Sequence, residues 1–386
     1  MRGGAEVPDA LLGVVRDRLA REGAVLTPQQ VALALRQEGR PVGDAEVLAV
    51  HDRLCRDVLG AGPLEELLVL PGVTDVLVNG PGQTWIDRGS GLELTSVRFD
   101  SDDEVRRLAQ RLAAVGGRRL DDASPYVDLR LPDGTRFHAV LSPVARPGTL
   151  LSLRVPRSGS FDLDGLEAAG AVSAEGALLL RRIVDARLAF LVSGGTGSGK
   201  TTLLGAMLGL VDPADRLVIV EDSSELRPDH PHVVALEARP VNLEGAGEVT
   251  VRTLVRQALR MRPDRLVLGE VRGAEVVDLL AALNTGHEGG CGTVHANSAA
   301  DVPARIESLA MAAGLSRAAA QSQLASAVDL VIHLHRPRHG VRRVREVAVV
   351  CGSPGSLAAV PAVRFGADLS SDPGPGFDQL EQLVAR

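Results

Sequence analysis

Through the second half of the chain, short runs of apolar residues alternate with stretches whose apolar positions recur every three to four residues. The runs fall at residues 189–193, 217–221, 265–269, 291–294 and 330–334. Consecutive apolar positions predict strands covered on both faces, and helices between them predict a parallel sheet of the α/β class. A turn at His339-Gly340 leads into one more predicted strand, residues 346–350.

The first half reads differently. Residues 1–45 carry helical apolar spacing (Leu11, Leu12, Val15; Val31, Leu33, Leu35) broken by Gly and Pro, which predicts a short helical appendage. Residues 46–155 predict a smaller α+β domain. Its strands lie at 73–78 and 84–87, between Pro-Gly turns, and its helix at 102–115. Pro132-Asp133-Gly134-Thr135 predicts a hairpin turn between 127–131 and 136–141. Residues 156–164 read as a linker, 165–351 as the α/β domain, and 352–386, with Ser-Ser-Asp-Pro-Gly-Pro-Gly at 370–376, as a mobile tail. The chain has no internal repeat.

Composition narrows the function. At 45% hydrophobic and 2% aromatic, the core is built from Leu, Val, Ala and Ile, with few rings for stacking on bases. A net charge of -7 argues against direct nucleic-acid binding. Cys55, Cys291 and Cys351 lie far apart, so neither a disulfide framework nor a zinc site is expected, and a reducing cytoplasm suits the chain. The start, with early acids and a proline, does not read as a signal peptide. The most apolar long stretch, 171–192, is interrupted by Glu175, Arg181, Arg182, Asp185 and Arg187, so no membrane span is expected.

Of 42 basic residues, 41 are arginine, and the single lysine is Lys200. It stands in Gly194-Gly195-Thr196-Gly197-Ser198-Gly199-Lys200-Thr201-Thr202, between a predicted strand and a helical pattern at 203–211. This is the phosphate-cradling loop G-x-x-x-x-G-K-[ST]. Its glycines let backbone N–H groups turn toward phosphates at the positive end of the following helix. A compact ammonium reaches β- and γ-phosphate oxygens where a planar guanidinium is too wide. Thr201 offers its hydroxyl to Mg²⁺. The pattern predicts that Gly195 through Thr202 bind ATP with Mg²⁺.

Hydrolysis needs carboxylates and charge compensation as well. Three segments supply candidates at strand ends, the ligand edge of an open parallel sheet. Glu221 and Glu225 follow the strand at 217–221 and are expected to assist Mg²⁺ and water. The next strand ends in Gly269-Glu270, where many P-loop enzymes carry Asp-Glu; Glu270 is expected beside the attacking water. The third segment, Thr285 to Ser298, has His287 and His295 flanking a glycine-rich strand. A relay to the γ-phosphate through His295 is favoured over metal binding, for which a third ligand is lacking.

These four segments, in this order, resemble the secretion ATPase superfamily of type II and type IV secretion, type IV pili and conjugation. Leu59 to Glu65, Val73 to Gly80 and Gly117 to Arg136 are similar to its CpaF/TadA branch, which drives tight-adherence (Flp) pili. The resemblance covers residues 50–350 and implies a RecA-like ATPase domain behind an N-terminal domain. It further implies a homo-hexameric ring peripheral to the inner face of the cell membrane, acting on a polytopic platform protein and, through it, on pilin. By their place in the motifs, Arg136 and Arg154 match the arginines that such N-terminal domains contribute to a nucleotide site, with Arg118, Arg119 and Arg130 as weaker matches. The tetracysteine zinc module of the extension ATPases is absent here.

Three alternatives stand beside the Flp-pilus motor. One is a conjugation or type IV secretion ATPase that moves DNA or protein. Another is an idle scaffold, which the intact Lys200 and Glu270 oppose. A GTP-dependent switch is excluded: its Asn-Lys-x-Asp segment needs a second lysine.

Overall fold

The computed structural model describes residues 18, 27–37, 47, 50, 60–89, 91–155, 161–239, 241, 246–337, 340–353 and 355–385. The chain divides into two compact units, Met1–Arg157 and Ser158–Arg386, with the division inside the stretch read as a linker.

In the first unit, helix α1 (Pro28–Gln37) buries Val31, Ala34 and Leu35. Those spacings of three and four residues line up along one side of a helix. Leu33, counted in the expected stripe, is exposed, because a step of two residues carries it to the far side. Leu11, Leu12 and Val15 lie outside the described residues. Strands β1 (Asp75–Asn79), β2 (Thr84–Asp87) and β3 (Leu92–Leu94) precede helix α2 (Asp102–Val115). Strands β4 (Tyr126–Arg130), β5 (Arg136–Val140) and β6 (Leu150–Arg154) follow it. All six form one antiparallel sheet ordered β3-β2-β1-β6-β5-β4. The face of α2 bearing Val105, Leu108, Ala109 and Leu112 shares a core with Val76, Val78, Phe137 and Leu153 of the sheet. The β4–β5 turn closes as read: Leu131 N–H donates to the Thr135 carbonyl at 2.8 Å, and Asp133 Oδ1 accepts from Thr135 N–H at 2.9 Å.

The second unit opens with helices α3 (Leu163–Ala168) and α4 (Ala174–Asp185). Strand β7 (Phe190–Gly194) leads to helix α5 (Lys200–Leu208), then to strands β8 (Leu217–Glu221) and β9 (Val233–Glu237). Helix α6 (Val251–Ala258), strand β10 (Arg265–Val271), helix α7 (Glu275–Leu283) and strand β11 (Cys291–His295) come next. Helices α8 (Val302–Ala312) and α9 (Arg317–Ala327) precede strands β12 (Leu330–His335), β13 (Arg343–Cys351), β14 (Ala358–Phe365) and β15 (Ser371–Pro373), and helix α10 (Phe377–Val384) ends the unit.

The sheet order is β15-β14-β13-β12-β7-β11-β10-β8-β9, parallel from β12 to β9 and antiparallel from β12 to β15. Its central strands β7, β11 and β10 are buried at nearly every position because both faces are covered. Phe190, Val192, Leu217 and Ile219 meet α4 and α5 in one core. Leu191, Val218, Val220 and Leu268 meet α6 to α9 in the other. That is the period-two division of a strand between two apolar layers.

The C-terminal stretch corrects the expectation of a mobile tail at 352–386. Strands β14 and β15 extend the sheet, and Ala362, Val363, Leu380 and Leu383 are buried in its core. The glycines in the Pro-Gly run give close backbone approach rather than freedom. Gly374 N–H donates to the Ala362 carbonyl at 2.7 Å and Gly376 N–H to the Pro361 carbonyl at 2.9 Å. A Cβ at Gly374 would collide with that Pro361 oxygen. Arg182 on α4 clamps Glu381 on α10 through two hydrogen bonds of 3.0 and 2.9 Å. The ion pair holds Arg182 above and Glu381 below their usual titration ranges.

Candidate nucleotide site

Strand β7 delivers Gly194 to the C-terminal edge of the parallel sheet, and α5 begins six residues later at Lys200. Gly195, Thr196 and Gly197 form an exposed crest, while Ser198 is buried with no hydrogen-bond partner for its Oγ. Thr201 and Thr202 are half-buried in the first turn of α5. The Lys200 side chain folds back under the crest. Its Nζ donates to the carbonyls of Gly194 at 3.2 Å and Gly195 at 3.1 Å and lies 3.4 Å from His295 Nδ1. Burial holds its pKa below the ordinary lysine value, against the pull of the Glu270 and Glu225 carboxylates.

His295 ends β11, the strand beside β7, and its Nε2 lies 2.9 Å from Glu270 Oε1. Burial first, and then the Lys200 charge, hold its pKa below the ordinary histidine value. A neutral ring between an ammonium and a carboxylate has one sensible tautomer: Nδ1 accepts from Lys200 and Nε2–H donates to Glu270. Lys200, His295 and Glu270 thus form a continuous polar chain from the start of α5 to the ends of β11 and β10.

Glu270 is aimed by an irregularity in β10. The β10–β11 pairing shifts register between Leu268 and Val271, leaving Gly269 and Glu270 on one side against Thr293 on the other. Bulges of this kind redirect side chains at functional edges. Thr293 Oγ1–H donates to the Gly269 carbonyl at 2.6 Å and pins it.

Gly269 is required by its neighbour. A Cβ there would lie 2.5 Å from Glu221 Cγ and 2.9 Å from Glu221 Oε1. The Glu221 side chain, reaching over from the end of β8, fills the space an Asp at 269 would occupy. Sequence reading gave Glu221 and Glu225 one shared task, and the geometry separates them. Glu221 is 4% exposed, and its Oε1 accepts from Glu225 N–H at 3.0 Å and Leu226 N–H at 3.1 Å. It is tied into the fold of its own loop, while Glu225 is exposed.

Burial pushes the Glu221 carboxyl up from its ordinary 4.5 to about 7, the two amide donors resisting and the charges of Glu225 and Asp222 adding to the rise. The folded protein therefore binds more protons here than the unfolded chain between those two values. This contribution to stability is full below 4.5 and lost as pH rises through about 7. Glu221→Gln keeps the acceptor oxygen and removes the titration. The fall in melting temperature from pH 5 to pH 8 is expected to be smaller in this variant; an unchanged pH profile would reject the assignment.

Other expected residues fall elsewhere. His287 sits before the N-terminal end of β11, the far end from His295, with Nδ1 3.1 Å from the Ala282 carbonyl of α7. The two histidines do not face a common site. Among the described residues no group of three His, Cys, Asp or Glu is placed to hold a metal ion. Cys291 is buried and its thiol pushed up to about 12, and Cys55 lies outside the described residues.

In the first unit Arg136 and Arg154 are direct cross-strand partners on β5 and β6, and Arg130 on β4 partners Arg136. Arg136 is held by Asp128 at 2.8 and 3.1 Å, and Arg154 by Asp75 at 3.1 Å. Arg119 pairs with Asp121.

Two contacts escaped sequence reading. Arg272 pairs with Asp222 and joins the β10 and β8 loops; its place two residues after Glu270 was the available signal. Ser193 Oγ lies 2.9 Å from His333 Nδ1, inside the sheet under the loop. Burial holds His333 below the ordinary histidine value.

A phosphate-cradling loop, a buried lysine and a carboxylate on the neighbouring strand ends define a P-loop ATPase. Residues 57–354 match the family described as Type II/IV secretion system protein, and the chain belongs to it. A putative conjugal transfer protein of Mycobacterium tuberculosis is 57% identical over 350 residues, 89% of this chain and 99% of that protein. Conjugal transfer protein TrbB of Rhizobium radiobacter is 33% identical over 72% of this chain and 84% of its own length. The crystal structure of the Yersinia pseudotuberculosis ATPase DotB shares the fold at a TM-score of 0.54 and 18% identity, covering 78% of this chain and 79% of that one. The fold is a RecA-like ATPase domain behind an N-terminal domain, and the chain is an ATP-hydrolysing enzyme. Among the described residues no helix is long and apolar enough to cross a membrane.

Proposed function

We propose that this chain is the motor of a conjugal-transfer or type IV secretion apparatus, working as a homo-hexameric ring against a membrane platform protein at the inner face of the cell membrane. The observation that carries the site reading is the Lys200–His295–Glu270 chain under the loop. The names borne by the M. tuberculosis and Rhizobium relatives favour the conjugal or type IV class. A Flp-pilus motor remains the second reading, favoured by the segments at 59–65, 73–80 and 117–136. A deletion strain separates them: loss of DNA or protein transfer supports the first, and loss of surface filaments supports the second.

In the ATPase cycle, incoming triphosphate draws the Lys200 ammonium off the Gly194 and Gly195 carbonyls. His295 then keeps its hydrogen bond to Glu270 while losing its lysine donor, so it reports occupancy of the γ-phosphate position. Glu270 orients water and takes its proton. Thr201, in the first turn of α5, suits Mg²⁺, which takes one or two protein oxygens and completes its shell with phosphates and water. Bound there, Mg²⁺ would supply positive charge against the charge of the phosphates.

Arg136 and Arg154 are proposed to serve a neighbouring subunit's nucleotide. Arg130, Arg136 and Arg154 form one cross-strand row on that face, and the neighbour's phosphates would take the place of Asp128 and Asp75, which now hold Arg136 and Arg154. A mixture of Arg136→Ala and Lys200→Ala chains is expected to regain part of the hydrolysis that each lacks alone. Verified mixed oligomers without recovery would refute the shared site.

A further inference from the structure

Arg336 belongs to none of the motifs above. It follows β12, whose Leu334 is in register with Gly194 at the start of the loop. Two residues further on, the chain stands at the same C-terminal edge of the sheet, on the side of β7 away from β11 and β10. The arginine turns toward the loop: a Cβ on Gly197 would lie 2.7 Å from Arg336 Nη1. Across the hairpin, Arg342 brings its Cδ to 4.0 Å from the corresponding point on Gly199. Among the described residues Arg336 makes no hydrogen bond or ion pair. Many other arginines here are matched to an acid, as Arg136, Arg154, Arg182 and Arg272 are. An arginine without a counter-ion, lying on the crest of an anion cradle, is placed for an anion that the cradle itself receives.

We infer that Arg336 is a polyphosphate-binding residue that acts within its own chain, its guanidinium closing the β12 side of the loop over the nucleotide. The inference rests on reading residues 194–201 as the phosphate cradle. Glu270 and His295 stand on β10 and β11, on the opposite side of β7. Arg336 therefore contacts charge present in ATP before hydrolysis and in ADP after it, not charge that develops between them. Such a contact governs affinity and leaves kcat alone. This separates it from Arg136 and Arg154, whose proposed effect is on turnover.

The test uses the purified full chain. Dissociation constants for ATP and ADP, steady-state kinetics, and inhibition by tripolyphosphate are measured for wild type, Arg336→Ala and Arg336→Lys. Losing one charge-assisted contact is expected to weaken ATP, ADP and tripolyphosphate together, by about tenfold. The kcat at saturating ATP is expected to stay within about twofold of wild type. Lysine, keeping a point charge, should recover most of the loss. Arg336→Gln, which keeps part of the stem, carries the test if alanine lowers the melting temperature. Unchanged affinities overturn the inference, as does a fall in kcat at unchanged affinity. Weaker ATP with unchanged tripolyphosphate also overturns it, because the contact would then be to adenosine. Wild-type protein that binds neither ATP nor tripolyphosphate would instead overturn the cradle reading on which the inference rests.

Discussion

Lys200→Ala is expected to remove ATP turnover, by about a hundredfold or more, and to weaken nucleotide binding strongly. The ammonium is the one cation held inside the loop, 3.1 to 3.2 Å from two of its carbonyls. No other side chain can take its place from within the nest. The fold should survive, since truncation removes a charge that burial already disfavours. Lys200→Arg should fail nearly as badly, because a planar guanidinium does not fit beneath the crest. Phosphate release and binding of a fluorescent nucleotide measure the two effects. Wild-type-like hydrolysis by either variant would sink the assignment of residues 194–201 as the nucleotide cradle.

Glu270→Gln is expected to keep ATP binding and lose hydrolysis by about a hundredfold to ten-thousandfold. The amide oxygen can still accept from His295 Nε2–H, so the chain from Lys200 through His295 stays in place. What disappears is the group that orients water and receives its proton. The useful comparison is His295→Ala, which leaves the carboxylate and breaks both the 3.4 Å and the 2.9 Å contact. That variant should lower turnover less than Glu270→Gln, since it removes a positioning contact rather than the acceptor. If Glu270→Gln loses binding together with turnover, Glu270 holds the site together instead of acting on water.

Much of the ATPase unit was legible along the chain because its signals are local. The strand at 217–221 matches its predicted bounds, and those at 189–193, 291–294 and 330–334 are displaced or extended by one residue, since consecutive β-branched and Leu residues mark a strand buried on both faces. The helix after the loop starts at Lys200 instead of residue 203, directly after Gly199, whose left-handed backbone ends the loop. Strand β9, Val233–Glu237, went unread: it is the edge strand, with a half-exposed pattern. The Pro-Gly run near 370–376 misled, because the same residues that loosen a chain also let two backbones touch.

The sequence by itself pointed to a phosphate cradle at the end of a parallel sheet, with a glutamate at the end of a later strand. Those conclusions need only spacing, strand periodicity and the placing of one lysine among 41 arginines. Tertiary structure alone decided where each acid lies: Glu221 turns inward into the gap left by Gly269, while Glu270 is turned by a bulge toward His295. It also decided that Arg130, Arg136 and Arg154 stand in one row, that α10 completes the core, and that Arg336 lies on Gly197. Each of these joins residues from separate strands or loops, and no local pattern encodes a meeting that only pairing register and close packing bring about.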